Sequence, residues 1–582
     1  RKITCIILLK EQPSETVARD LKLDHISQDK GLLRKLIYTE TKKKTLPIQN
    51  SLITPISTLG GKILQNYFII NALLVEIPLQ ALPQLAELSQ IARIEPDYTL
   101  HLQLDVSQPI VTNTTAPGWN YLYNGSGVIV AVCDTGINKN HPALVGRVIA
   151  EASFIGGTPD DSNGHGTHVA GIIASNDSTY HGIASEVSLV NVKIMNSEGL
   201  GQTSDLIEGL EWLFNGTGPG ADIINLSAGT DEIDPDGESS LARFIDAIVS
   251  QYGIVWVNAA GNSGSSGLEV PGDAINCISV ANFDDHDSRN PSVWTINGLS
   301  SRGPTLDGRK KPDIAAPGTD ISSCDLASGF VEKTGTSMAA PHVAGAAALL
   351  WQYLSMNNAS LDSSWYPLII KGIMLNTAYD LGTAGYDYSF GYGAIDLGAA
   401  WNFLQTGDFA VETMNYPNSQ AKYRIILDTP QKINVTVVWN RYASTNYTHT
   451  FYYGLSNINI ELKNETGSPL ASSLSLRDNV EQISYTASNG TYYLYINIVS
   501  FAHDPQEYVV VSSSPLTFIE KIRTWDLFEI LLYVSIGGVI AVAVIYVAVW
   551  LRDRRKGKLT EEAPPEADST WPEWLPAPNH ES

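Results

Sequence analysis

VIVAVCDTGI, residues 128–137, is a run of β-branched and small apolar residues that stops at an acidic residue and a glycine. Four later runs share the plan: VSLVNVKIM (187–195), ADIINLSAG (221–229), YGIVWVNAAGNSG (252–264) and CISVANF (277–283). They alternate with helical patterns near 204–214, 239–252 and 337–354. Apolar strands alternating with helices predict an α/β fold with a doubly wound, mostly parallel sheet. Active sites in such sheets gather at the carboxyl ends of strands, and Asp134 and Asn262 fall there.

Working outward, residues 1–105 hold strand-like pieces (KITCIILL, 2–9; NYFIINALLVEIPL, 66–79), a helical stretch (QALPQLAELSQ, 80–90) and IARIEPDY (91–98). This predicts a small α+β domain without a catalytic constellation. The catalytic region is assigned to 106–405. Residues 406–515 are β-branched and aromatic with short polar turns, as in KINVTVVWN (432–440), GTYYLYINIV (490–499) and EYVVVSS (507–513), which predicts an all-β sandwich. Ile530 to Leu551 is 22 residues without a charge, and as a helix it would span about 33 Å, enough to cross a bilayer. One transmembrane helix is therefore expected over 527–551, followed by a disordered tail over 552–582. Arg552, Arg554, Arg555, Lys556 and Lys558 follow the apolar run, whereas Asp526 and Glu529 precede it. That asymmetry puts the tail in the cytosol and everything before it outside the cell. Sequons at Asn113, Asn124, Asn176, Asn215, Asn358, Asn434, Asn446, Asn464 and Asn489 fit an external glycoprotein, while Asn225 lies in an apolar run that reads as a buried strand. Since the sequence starts at Arg1, removal of a signal peptide is also expected.

An apolar fraction of 43% with 17% charged residues is that of a globular chain. The net charge of −24 argues against a nucleic-acid partner, whose phosphates need neutralising Lys and Arg. Residues 1–105 carry 13 Lys+Arg against 11 Asp+Glu, a net +2, so the remainder carries −26. Cys5, Cys133, Cys277 and Cys324 neither form a disulfide framework nor show metal-ligand spacing, and are read as small buried hydrophobes.

Three runs each set one reactive side chain among small residues: VAVCDTGI with Asp134, NGHGTHVAG with His165 and GTSMAAPHVAGAAALL with Ser337. A serine hydroxyl is a weak nucleophile at its own pKa. It needs an imidazole to take its proton, and the imidazole needs a buried carboxylate to fix its tautomer. Ser337 begins a helix, since Ala and Leu follow it and Pro341 is read as tolerated in the first turn. The helix N-terminus and the Ser337 amide then face a developing oxyanion. Asn262, between a glycine and a serine, reads alone as a turn residue. Beside the other three runs it becomes the second oxyanion donor.

Asp-Thr-Gly, His-Gly-Thr-His, Ala-Ala-Gly-Asn and Gly-Thr-Ser-Met-Ala-Ala-Pro-His stand here in the order and spacing of the subtilisin-like serine proteases, which the chain resembles over roughly residues 1–515. SSRGPTLDGRKKPDIAAPG (300–318) is similar to the pyrolysin-like branch, and FGYGAIDLGAAW (390–401) to the end of the catalytic domain. Residues 61–101 are similar to the inhibitory prodomain. WN, INIELKN, DNVEQISY and GTYYLYI resemble the jelly-roll domain that follows some members.

The resemblance implies a serine endopeptidase acting through an acyl-enzyme on Ser337, with Asp134 and His165 completing the triad and Asn262 the oxyanion donor. It implies a zymogen that cleaves itself within about His101 to Gln108 and is inhibited by its own prodomain. Protein or peptide substrates, that prodomain and the membrane are the implied partners. No cofactor is required for catalysis. Relatives carry structural calcium, although no loop here has a convincing ligand pattern.

The family's first specificity pocket maps to Ser227, Ala228 and Gly229 and to Ala259, Ala260 and Gly261. Small walls leave room for a large side chain, so cleavage after large apolar residues is expected. If the loop after Asn262 aligns through Pro271-Gly272, Glu269 falls near the pocket floor and favours Lys or Arg. Otherwise it is a polar loop residue facing solvent. His168 and His342 are read as packing residues, because no Glu sits between His165 and His168 as a zinc protease requires. The acidic loop 231–239 is read as solvated surface, with calcium binding or cleft lining as alternatives. A different class of function, an inactive ectodomain used for adhesion, would share this fold but lose at least one of the four chemical residues.

Overall fold

The computed structural model describes residues 2–23, 30–102, 123–230, 234–358, 360–415, 419–442, 455–500, 502 and 505–523. The apolar runs form one eight-stranded sheet. Its order is Thr295–Ile296, Ile278–Asp284, Val255–Ala259, Ile223–Leu226, Ile129–Asp134, Ser188–Lys193 and Val148–Ser153, with Ile314–Pro317 also paired to Ile278–Asp284. Only the two-residue strand Thr295–Ile296 pairs antiparallel; the others are parallel. Ile129–Asp134 comes first in the chain yet lies in the middle, so strand order reverses there. Asp134 stands at its carboxyl end, on the crevice that such a reversal opens.

The helix Thr336–Asn357 is buried along most of its length, and its alanines pack against the sheet. Thr336 is its first residue, so Pro341 lies beyond the first turn, where a helical N–H normally serves the carbonyl four residues earlier. The proline cannot serve the Ser337 carbonyl. The Ser227 hydroxyl does so instead, at 3.1 Å.

Ahead of this sheet, strands Lys62–Tyr67, Ala72–Pro78, Lys2–Leu9 and Ile91–Pro96 form an antiparallel sheet in that order. The run 66–79 is thus a strand end, a turn and a second strand, and the helical stretch at 80–90 contracts to Leu82–Ala86. The longest helix of this region, Lys30–Asn50, carries no sequence expectation. Ile6, Leu8, Ile37, Tyr38 and Phe68 share a buried cluster with Leu206, Leu210, Phe244 and Ile248, so the N-terminal region is packed onto the helices Thr203–Phe214 and Ser240–Tyr252.

The C-terminal region is an antiparallel sandwich of a four-stranded and a five-stranded sheet around Trp439, Tyr423, Ile460 and Ile496. Its strand Thr517–Arg523 carries it beyond residue 515. Arg441 reaches out of it to Asp246, Glu238 and the Gly237 carbonyl. Glu238 of the acidic loop is therefore an ion-pair partner rather than solvated surface. The expected membrane span, the tail, residues 103–108 and residues 231–233 lie outside the described residues. Among the described residues no helix is long and apolar enough to cross a membrane.

Candidate active site

Asp134 ends its strand buried, and His165 begins the helix His165–Ala174. The helix start approaches the strand end closely: a Cβ at Gly166 would lie 2.1 Å from the Gly136 carbonyl oxygen, so only glycine fits. His165 Nδ1 lies 2.7 and 2.9 Å from the two Asp134 carboxylate oxygens. With Nδ1–H donated to the carboxylate, Nε2 is the basic nitrogen, and it is buried without a hydrogen bond.

Asp161, four residues before His165, holds this corner. Its Oδ1 accepts from the Thr135 hydroxyl and the Asn163 and Gly164 amides, and its Oδ2 accepts from the Thr167 amide and hydroxyl. Thr135 Oγ1 in turn accepts from the Gly166 amide. The one sequence signal for Asp161 is the turn pattern Asp-Ser-Asn-Gly, which marks a loop but not its role in holding His165.

Ser337 is the second residue of its helix, where amides have no intrahelical acceptor. Its Oγ donates to the Ser227 carbonyl at 3.0 Å, so the hydroxyl is not hydrogen-bonded to His165. The relay is closed between Asp134 and His165 and open between His165 and Ser337. Such contacts commonly tighten only with substrate in place. Behind Ser227, buried Asn225 donates to the Ser227 hydroxyl at 3.0 Å, as expected of a strand residue rather than a glycosylation site.

Asn262 follows the strand Val255–Ala259. Its Oδ1 accepts from the Thr336 amide and hydroxyl, both at 3.1 Å. Those bonds fix the plane of the amide and leave Nδ2 buried and without a partner. A fixed N–H donor with no ground-state acceptor is what a transient oxyanion requires.

The pocket residues Ala228 and Gly229 belong to the strand Ala228–Thr230. The strand Thr99–Leu102 lies antiparallel between it and Leu200–Gln202, with Leu102 opposite Ala228 and His101 opposite Gly229. Ala259, Ala260 and Gly261 are buried beside Asn262. Glu269 does not face solvent. Its Oε1 accepts from the Asn262 amide at 3.0 Å and from the Ser263 hydroxyl at 2.8 Å, and its Oε2 lies 3.5 Å from His101 Nε2.

His168 Nε2 lies 2.9 Å from each of the Ile321 and Val331 carbonyls, and burial pushes its pKa down to about 3. His342 bonds the Met338 carbonyl, and burial takes it to about 4. Both stay neutral and structural. The four cysteines are free and buried. Among the described residues no group of three or more His, Cys, Asp or Glu is placed to hold a metal ion.

Residues 125–393 match the family model described as the subtilase family. Serine protease AprX of Bacillus subtilis (strain 168) is 40% identical over 256 residues, 39% of this chain and 58% of AprX, so the match spans little more than half of that relative. Subtilisin E of the same strain is 33% identical over 351 residues, 59% of this chain and 84% of subtilisin E. Subtilisin DY of Bacillus licheniformis is 37% identical over 286 residues, 48% of this chain and 92% of the relative.

Proposed function

The chain belongs to the subtilase family of serine endopeptidases, and from that premise we propose that it cleaves peptide bonds through an acyl-enzyme on Ser337. The observation that carries this reading is a pair of buried, unpartnered nitrogens: His165 Nε2, backed by Asp134, and Asn262 Nδ2, whose amide is fixed by Thr336, the residue before Ser337. Ser337 Oγ leaves the Ser227 carbonyl, passes its proton to His165 Nε2 and attacks the substrate carbonyl carbon. The oxyanion forms between Asn262 Nδ2 and the amide at the helix start. His165 then returns the proton to the departing amine, and water repeats the sequence to free the acid. Asp134 stays ionised throughout and holds the imidazolium. Catalysis in the family needs no cofactor, and calcium would act here only on stability.

The zymogen reading is supported by the strand Thr99–Leu102, which fills the cleft as a peptide substrate would. Residues 1–105 are then the prodomain, cleaved within about 101–108. The segment 300–318 and the sandwich after the catalytic domain support placement in the pyrolysin-like branch. The apolar run 530–551, with basic residues after it, supports a single-pass anchor with the catalytic domain outside the cell and glycosylated. The test is labelling with a fluorophosphonate probe. Wild type should react and Ser337→Ala should not; an unlabelled wild type that is folded and free of residues 1–105 would instead mark an inactive adhesion module.

A further inference from the structure

We infer that Glu269 makes the cleft select peptides with a Lys or Arg immediately before the scissile bond, an inference that rests on the endopeptidase reading above. The strand Thr99–Leu102 sets the register: Leu102 is opposite Ala228 and His101 opposite Gly229. In a substrate bound the same way, the next residue comes opposite Ser227, whose carbonyl accepts the Ser337 hydroxyl. The carbonyl of that residue is the one within reach of Ser337 Oγ. Side chains alternate along a strand, so its side chain shares a face with position 101 and not with position 102.

The His101 face is the Glu269 face, since His101 Nε2 lies 3.5 Å from Glu269 Oε2. Glu269 is anchored there. The Asn262 amide and the Ser263 hydroxyl both bond Oε1, which turns Oε2 toward the cleft strand. Gly261 makes room, because a Cβ at that position would lie 2.8 Å from Glu269 Cγ. With the strand Thr99–Leu102 in the cleft the side chain is only 13% exposed, the condition a bound peptide would reproduce. A Leu or Phe entering beside it would take water from the carboxylate and return nothing, whereas a Lys or Arg brings a paired charge. The chain's own segment offers His101 to that oxygen. The next residue in its sequence after Leu102 is the uncharged Gln103, however, and the window 101–108 holds no Lys or Arg. Self-cleavage is therefore the disfavoured case, carried by the high effective concentration of a tethered segment.

The measurement uses the full chain freed of residues 1–105 and a peptide series that differs only at the residue before the cleaved bond: Lys, Arg, Leu, Phe. Wild type should favour Lys and Arg over Leu and Phe in kcat/KM by roughly 10- to 100-fold, the range of a charge-assisted hydrogen bond. Glu269→Gln should bring that ratio to near one or below, because its amide oxygen still accepts from Asn262 while the charge is gone. Benzamidine should protect wild-type Ser337 from a fluorophosphonate probe and uncharged benzamide should not, which needs no variant. A labelled wild type with a ratio near one, or an unchanged ratio in Glu269→Gln, overturns the selection by Glu269 alone. A wild type that neither hydrolyses any peptide nor labels overturns the endopeptidase reading with it.

Discussion

The two nitrogens at the centre of the cleft and the two charged groups that hold residues 1–102 on the helix face are buried in opposite ways. In the cleft, His165 Nε2 and Asn262 Nδ2 are buried and make no hydrogen bond. On the helix face, Glu211 is buried and its carboxylate accepts from the Phe68 amide at 2.6 Å, the Ile69 amide at 2.8 Å and the Tyr38 hydroxyl at 2.8 Å. Arg34 likewise donates to the carbonyls of Ala221, Tyr252 and Gly253. Unmet hydrogen-bonding capacity costs stability in a folded chain. At His165 and Asn262 the unmet capacity waits for a species that exists only in the transition state; at Glu211 and Arg34 the satisfied capacity holds a partner.

The strongest way to break this contrast is Ser337→Ala. Peptide hydrolysis should fall by at least about a thousandfold, as for other triad deletions. Residues 1–102 should stay covalently attached, which N-terminal sequencing reads. Normal processing in a protease-free preparation would show that the cleft does not cut its own strand. Asn262→Ala comes next. It should fold normally and lose about 100- to 1,000-fold in kcat with KM little changed, since the amide is engaged only when the oxyanion forms. An equal loss in KM would mean that Nδ2 contacts the substrate ground state. Thr336→Val sharpens the point, because it removes one of the two donors that aim Asn262. A loss of about tenfold in kcat, the worth of one neutral hydrogen bond, is expected.

How much of this could be read from the residues depends on whether the carrier is local. Five of the seven parallel strands were legible because each is an apolar run ending near Gly, Asn or Asp, whereas Val148–Ser153 and Ile314–Pro317 were not. The triad was legible because each member sits in a short motif of small residues. The helix Lys30–Asn50 was not. Its inward face includes Arg34, Thr41, Thr45 and Gln49 beside Ile37 and Tyr38, so the helical spacing is present but the hydrophobic signal is weak. The purpose of Arg34 and Gln49 is supplied by other segments, as when Arg34 bonds Tyr252 and Gln49 bonds Tyr67. The place of Glu269 was open for the same reason: its partners His101 and Asn262 come from a separate strand and an adjoining turn. Pro341 was legible only in part, since its effect on Ser337 needs Ser227 from another strand to be seen.

The finest test concerns pH at the helix face. Burial raises the Glu211 carboxyl to about 7, against the pull of the Ile69 and Phe68 amides, the Tyr38 hydroxyl and Lys42, which favour the charged form. Tyr67, Tyr252, Glu208 and Asp205 also stand near it, and burial raises Asp205 to about 6. All three direct donors to Glu211 belong to residues 1–102, so their departure exposes the carboxylate to water, where an ordinary Glu titrates near about 4.3. The bound form therefore has the higher pKa, and association takes up a proton between those two values. The sign follows: residues 1–102 should bind more tightly as pH falls through 7, by about fivefold from pH 7 to pH 6 if Glu211 alone responds. Asp97, whose carboxyl is also raised by burial while it bonds Ser204, adds in the same direction. Inhibition in trans by the N-terminal segment, measured from pH 8 to pH 5, should show this slope. Glu211→Gln should reduce it, and Glu211→Gln with Asp97→Asn should reduce it further, leaving the share of Asp205. Inhibition that weakens on acidification would mean that the amide and hydroxyl donors outweigh burial, and Glu211 would then hold the segment as a charged acceptor rather than as a proton-taking one.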